Sequence, residues 1–135
     1  MYRFTGFFAR LVIERPTTLP VGAVWREITT PFSGVGIRLP GLAGMEPGPE
    51  EVHRLLTEVG LGGAIDWLFI DYVTWAGPID SVYGMGLWQG RAFGPVSESI
   101  RNSPRAAFLE LMGEFGVAEA DALNFPPFIR GFWGE

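Results

Sequence analysis

The hydrophobic positions of the chain are organised around the stretch from Ile65 to Gly90, IDWLFIDYVTWAGPIDSVYGMGLWQG, which holds three of the five tryptophans. Two runs rich in β-branched and aromatic residues flank Gly77-Pro78, which is the pattern of a long β-hairpin. With the turn centred on Gly77-Pro78 and a loop of two or four residues, Trp67 opposes Trp88, Phe69 opposes Gly86 and Asp71 opposes Gly84. Val73 then opposes Val82, and Trp75 opposes Asp80. The reverse face carries Leu68, Ile70, Tyr72 and Thr74 against Leu87, Met85, Tyr83 and Ser81, an ordinary core face. In this register Gly84 and Gly86 leave a trough beside Phe69 and Asp71, walled by tryptophans, where a ligand or another backbone can approach closely. A three-residue loop shifts every pair by one and dissolves the trough.

Before the hairpin, residues 2–14 are apolar at both strand parities, as an interior strand requires. The ERPTT run at 14–18 breaks that strand. Thr18 is placed to cap a helix from Pro20 to about Ile28, with Val21, Val24, Trp25 and Ile28 on one face. A weakly alternating strand follows at 34–39, then a Gly/Pro-rich loop at 40–49. Pro49 opens a helix with Glu50 and Glu51 in its first turn, a stripe of Val52, Leu55, Leu56 and Val59, and Gly60 at its end. After the hairpin, 90–102 reads as a polar connection with at most one helical turn. Ser103 and Pro104 then start a helix with Phe108, Leu111, Met112 and Phe115 on its stripe, ending at Gly116. A short helical segment is expected at Ala118–Leu123. The tail at 124–135 holds Phe125, Phe128, Ile129, Phe132 and Trp133 with no regular period, so it must pack on its own domain or on a partner.

The resulting order, roughly β-α-β-α-β-β-α, predicts an α+β fold. The expected architecture has two layers, an antiparallel or mixed sheet built on the hairpin at about 65–90, and three or so helices mainly on one face. At 135 residues the chain fits one compact domain, 1–135, large enough for a real core. Hydrophobic residues make up 47% and charged residues 19%, which excludes disorder.

The net charge of −5, with no dense basic cluster, argues against a nucleic-acid partner. All ten basic residues are arginine, as a GC-rich bacterial genome or a thermophile would give. The lack of cysteine excludes disulfides, thiolate metal sites and a thiol nucleophile. No apolar run has the length of a membrane helix, and the start lacks a signal-peptide pattern, so a soluble cytoplasmic protein is expected.

Candidate chemistry is sparse. The single histidine, His53, lies beside the apolar stripe of its helix among charged residues, as a solvated histidine does. No nucleophile elbow accompanies it. Gly84, Gly86 and Gly90 imitate a dinucleotide fingerprint, but the third glycine is one place late and the run lies inside a strand. Asp71 and Asp80 share a face about 13 Å apart, too far to hold one ion without a donor such as Glu98, Glu27 or Glu46. Neither a metal site nor a cofactor is indicated.

Asp71, among Trp67, Phe69, Val73 and Trp75, needs a hydrogen-bonding or arginine partner, for which Arg38, Arg91 and Arg130 are candidates. The aromatic face itself can be a second core layer, a protein or homodimer interface, or a small-molecule pocket. The leading functional expectation is a non-catalytic binding or interaction module, engaging a protein partner or a second copy. Its surface would comprise Trp67, Phe69, Asp71, Trp75, Asp80, Gly84, Gly86, Trp88 and the C-terminal aromatics. The alternative is a small-molecule-binding protein or small enzyme with Asp71 as polar anchor or general base.

Overall fold

The computed structural model describes residues 2–11, 14–40, 46–75, 78–98 and 103–134. Its central element is β1 (Tyr2–Ala9), with Phe4 and Phe8 buried on one face and Phe7 and Ala9 on the other. A strand apolar at both parities is stable only with cover on both sides, and β1 lies in the interior of the sheet. Six strands, β1, β2 (Val24–Ile28), β3 (Gly34–Arg38), β4 (Trp67–Thr74), β5 (Ile79–Trp88) and β6 (Arg91–Ser97), form one sheet in the order β2-β3-β1-β4-β5-β6. Every pairing in it is antiparallel. With α1 (Pro49–Glu58), α2 (Pro104–Glu114) and α3 (Glu119–Leu123), the described residues make an α+β fold of six antiparallel strands and three α-helices.

Two segments differ from the sequence expectation. Residues 20–28 are not a helix. Gly22, at φ +84°, sits in a turn closed by Ala23 N–H donating to Pro20 O at 3.0 Å, and β2 follows. The residues VWREI favour a strand, and their apolar spacing serves one equally well: Val24 and Ile28 face one way, Trp25 the other. Residues 91–97 are a strand rather than part of a polar connection. Gln89 and Gly90, both at positive φ, form the two-residue turn that returns the chain alongside β5. Pro95 disguised β6, but a proline is tolerated on an edge strand. Residues 12–13 of the expected first strand, 41–45 of the loop at 40–49, 76–77 of the hairpin turn and 99–102 lie outside the described residues.

The helices begin and end where local chemistry dictates. Ser103 Oγ accepts from Ala106 N–H at 3.2 Å to cap α2. Gly60 and Gly116, at φ +85° and +78°, take the left-handed position after α1 and α2.

The expected two layers are in fact three. Val52, Leu55 and Leu56 of α1 pack with Phe7, Val35, Ile37, Trp67, Phe69 and Met85 on one face of the sheet. On the other face α2, α3 and the tail pack with Phe4, Phe8, Leu68, Ile70 and Val82. The tail lies on its own domain: Trp133 stacks on Phe4 at 5.3 Å, Phe128 on Tyr72 at 4.3 Å, and Trp133 Nε1–H donates to Pro127 O at 2.9 Å. No helix among the described residues is long and apolar enough to cross a membrane.

Candidate functional site

The hairpin register differs by one residue from the expected one. Trp75 N–H donates to Pro78 O at 3.2 Å and Thr74 pairs with Ile79, but Val73 pairs with Ser81, leaving Asp80 as a bulge. Beyond the bulge Asp71 opposes Tyr83, Ile70 opposes Gly84, Phe69 opposes Met85, Leu68 opposes Gly86 and Trp67 opposes Leu87. A one-residue shift exchanges the faces of β5, so the trough does not form.

Gly84 and Gly86 instead face α2 and β6. A Cβ on Gly84 would stand 2.6 Å from Phe69 O and 3.0 Å from Leu111 Cδ1. One on Gly86 would stand 2.3 Å from Trp67 O and 2.6 Å from Phe93 Cζ. These glycines permit close packing.

The remaining hairpin candidates do not converge. Trp67 and Phe69 are buried on the α1 face. Trp88 is half-buried on the opposite face, where it forms an aromatic cage with Phe32 and Phe115 around Arg10. The guanidinium carbon lies 4.5, 4.5 and 5.0 Å from the Phe32, Trp88 and Phe115 rings respectively. Burial lowers the Arg10 pKa, opposed by the charge of Asp66. Trp75, 55% exposed, and Asp80, also exposed, sit near the hairpin tip.

Asp71 is 6% exposed and held from β1. The β1–β4 pairing sets Thr5 directly opposite Asp71, and Thr5 Oγ1 donates to Asp71 Oδ1 at 2.9 Å. Arg3, two residues back on the same face, donates through Nη2 to both carboxylate oxygens at 3.2 Å. Arg3 was not among the arginines expected from sequence. Its signal was its place with Thr5 as the polar members of an otherwise apolar strand, YRFTGFFA. Of the expected partners, Arg38 donates through Nη2 to Arg3 O at 2.8 Å, and Arg91 pairs with Glu114 at 2.8 Å.

These polar groups border a concave site. β3 pairs with β1 from Gly6 to Ala9, Leu39 N–H donates to Thr5 O at 2.7 Å, and Pro40 lies in a bend. The gap beside the first half of β1 is a notch of about 350 Å³ lined by Arg3, Thr5, Gly22, Val24, Arg38, Leu39 and Pro40. That volume falls within the range of small-molecule sites. Among the described residues the lining holds two guanidinium groups, one hydroxyl and no carboxylate, while Asp71 stands behind Arg3 and Thr5.

Other titratable groups make local contacts away from the notch. His53 is exposed, with Nδ1 2.8 Å from Pro49 O and its ring edge-on to Trp67 at 5.4 Å. Glu98 Oε2 accepts from Val82 N–H at 3.0 Å, and Asp66 Oδ1 from Gln89 N–H at 2.9 Å. Tyr83 Oη donates to Pro47 O at 2.6 Å; burial, then the charge of Glu46, raises its pKa. Burial likewise raises the pKa of Tyr72. Among the described residues no three His, Cys, Asp or Glu side chains gather as a metal site would require.

Comparison with protein-family models, curated proteins and solved structures gave no match. The functional reading therefore rests on the chemistry of the notch.

Proposed function

We propose that this chain is a non-catalytic binding protein that holds a small molecule in the notch beside Arg3, Thr5, Val24, Arg38 and Leu39. The observation that carries the reading is a metabolite-sized concavity whose polar border is fixed from behind by the Arg3–Asp71–Thr5 cluster. Asp71 serves as the polar anchor: by accepting from both side chains it holds the Arg3 guanidinium at the border. A binding role is favoured over catalysis because the carboxylate is committed to this cluster and no imidazole lines the notch.

A thermal-shift screen of the wild-type protein against metabolites, run beside Val24→Trp, tests the proposal. A ligand that binds only the folded state at ~100 times its dissociation constant adds about 2.7 kcal/mol. The expected result is a hit that the tryptophan, by filling the notch, removes. A hit that survives the substitution places the ligand elsewhere and refutes the assignment.

A second reading, a protein-partner or self-association module, has one specific observation in its favour: Trp75 is 55% exposed near the tip of the hairpin. Tryptophans at such positions commonly anchor interfaces. Light scattering on wild type and Trp75→Ala tests it; monomeric mass in both, with no Trp75-dependent capture of a partner, removes the support.

A further inference from the structure

Beyond the notch, we infer that a second cavity, lined by Tyr72 on the α2 side of the sheet, binds a small molecule that has an apolar body and an oxygen able to accept a hydrogen bond. The cavity measures about 480 Å³. It lies between Pro78 and Ile79 of the hairpin, Ser103, Pro104 and Arg105 at the start of α2, and Ala122 and Leu123 at the end of α3. That volume suits a metabolite-sized ligand. It shares no lining residue with the notch.

The state of the Tyr72 hydroxyl carries the inference. Tyr72 is 8% exposed, with its ring stacked on Phe128 at 4.3 Å and tilted against Phe108 at 5.2 Å. A phenol buried to this degree is ordinarily hydrogen-bonded. The other two tyrosines follow that rule: Tyr2 Oη donates to Pro127 O at 2.7 Å and Tyr83 Oη to Pro47 O at 2.6 Å. The Tyr72 hydroxyl makes no hydrogen bond among the described residues, and the residue lines the cavity. Burial raises its pKa, so at neutral pH it is an uncharged O–H donor.

The other polar groups around the cavity favour the same ligand chemistry. Ser103 Oγ accepts from Ala106 N–H at 3.2 Å, which leaves its O–H to donate. The start of α2 sets the positive end of that helix at the border, where an oxygen acceptor is favoured. Among the described residues no carboxylate or amide side chain lines the cavity. Arg105 stands 3.9 Å from Glu119 across the two helices, so its charge is opposed there and recognition does not turn on it. The body of the ligand is set by Ile79, Phe108 and Leu123 with the prolines 78 and 104. Leu123, 42% exposed, is a large apolar side chain left uncovered at this cavity. Covering it with a hydrocarbon or aromatic body releases water from apolar surface.

The test is a titration of the intact protein with acetophenone, benzoate and ethylbenzene, followed by amide chemical shifts in two-dimensional NMR. Ethylbenzene matches acetophenone in size and lacks its oxygen. Acetophenone or benzoate is expected to shift the amides of Ile79, Arg105, Phe108 and Leu123 and to bind about fivefold tighter than ethylbenzene, as one net hydrogen bond gives. Whichever of the two binds tighter identifies the head as a neutral carbonyl or a carboxylate. Tyr72→Phe removes the hydroxyl alone. It is expected to abolish the preference over ethylbenzene and to leave the urea midpoint at neutral pH unchanged, because the free protein loses no hydrogen bond.

Equal affinity for ethylbenzene, or an unchanged preference in Tyr72→Phe, overturns recognition through the phenol. A lower urea midpoint for Tyr72→Phe at neutral pH shows that the hydroxyl is already bonded in the free protein, and it overturns the premise. Shifts confined to Thr5, Val24 and Leu39 overturn this cavity as a site while leaving the notch standing. Absence of shifts with all three compounds overturns the cavity's assigned ligand class.

Discussion

Replacing Asp71 with asparagine preserves side-chain volume and removes one charge from a residue only 6% exposed. The carboxylate accepts from Thr5 Oγ1 at 2.9 Å and, through both oxygens, from Arg3 Nη2 at 3.2 Å. An asparagine has one oxygen for these donors, and its NH₂ group would face a donor it cannot satisfy. Hydrogen bonds to charged groups contribute about 1.5–3 kcal/mol each, and breaking a fully buried ion pair costs about 3–5 kcal/mol. The Arg3 side chain is 31% exposed, however, so water can solvate the guanidinium left behind and the cost falls below that range. The expected loss is about 2 kcal/mol, which in a chain of this size lowers Tm by roughly 6–10 °C.

Urea unfolding is the suitable assay, because a fall in midpoint at constant slope isolates a stability change. A double-mutant cycle of Arg3→Met with Asp71→Asn should give a coupling of about 1 kcal/mol. A loss within about 0.5 kcal/mol of zero, or no coupling, would show that Asp71 does not anchor Arg3. The argument that the notch is pre-organised would then fail.

Three other predictions follow from where side chains lie. Trp133→Ala should cost about 3–5 kcal/mol because the ring is 5% exposed against Phe4, whereas Trp75→Ala should change stability by no more than about 0.5 kcal/mol; equal losses in urea would refute the assigned packing. Gly86→Ala should cost about 3 kcal/mol, because its Cβ would stand 2.3 Å from Trp67 O, while in an open trough the change would be nearly neutral. Burial raises the Tyr72 pKa above its ordinary 10.0, so its contribution is complete below that pH and is lost as pH rises through the folded-state value. Urea midpoints at about pH 9 and about pH 11 should therefore fall less in Tyr72→Phe than in wild type, and an identical fall would contradict this.

The elements legible in the sequence were those written by local chemistry. Ser103-Pro104 and the glycines at 60 and 116 delimit helices by capping, and the apolar parity of β1 marks an interior strand without knowledge of its neighbours. The segments misread were those in which two local signals coincided. The apolar spacing of Val21, Val24, Trp25 and Ile28 suits a helix, but Gly22 at positive φ and the β-branched content of VWREI favour the strand. Pro95 and the flanking polar residues concealed β6, whose position at the sheet edge permits the proline. The Arg3–Asp71 pair was out of reach for a different reason. It depends on β4 choosing β1 as its neighbour in a register that sets Thr5 opposite Asp71, which no local pattern specifies.

The bulge at Asp80 shows how far a single residue reaches. It fixes the register that turns Gly84 and Gly86 towards α2 and β6 and places Met85 beside Phe69 on the α1 face. The same architecture accounts for the aromatic excess that suggested a recognition surface. A sheet covered on both faces needs apolar side chains at both parities of its central strands. Phe4, Phe8, Phe125 and Trp133 fill one layer, and Phe7, Trp67 and Phe69 fill the other. In such strands an aromatic residue is the expected occupant and carries little functional information. A buried polar one is informative, because its desolvation must be offset by specific partners. Thr5 and Asp71 meet that criterion, and the partly exposed Arg3 joins them at the border of the notch.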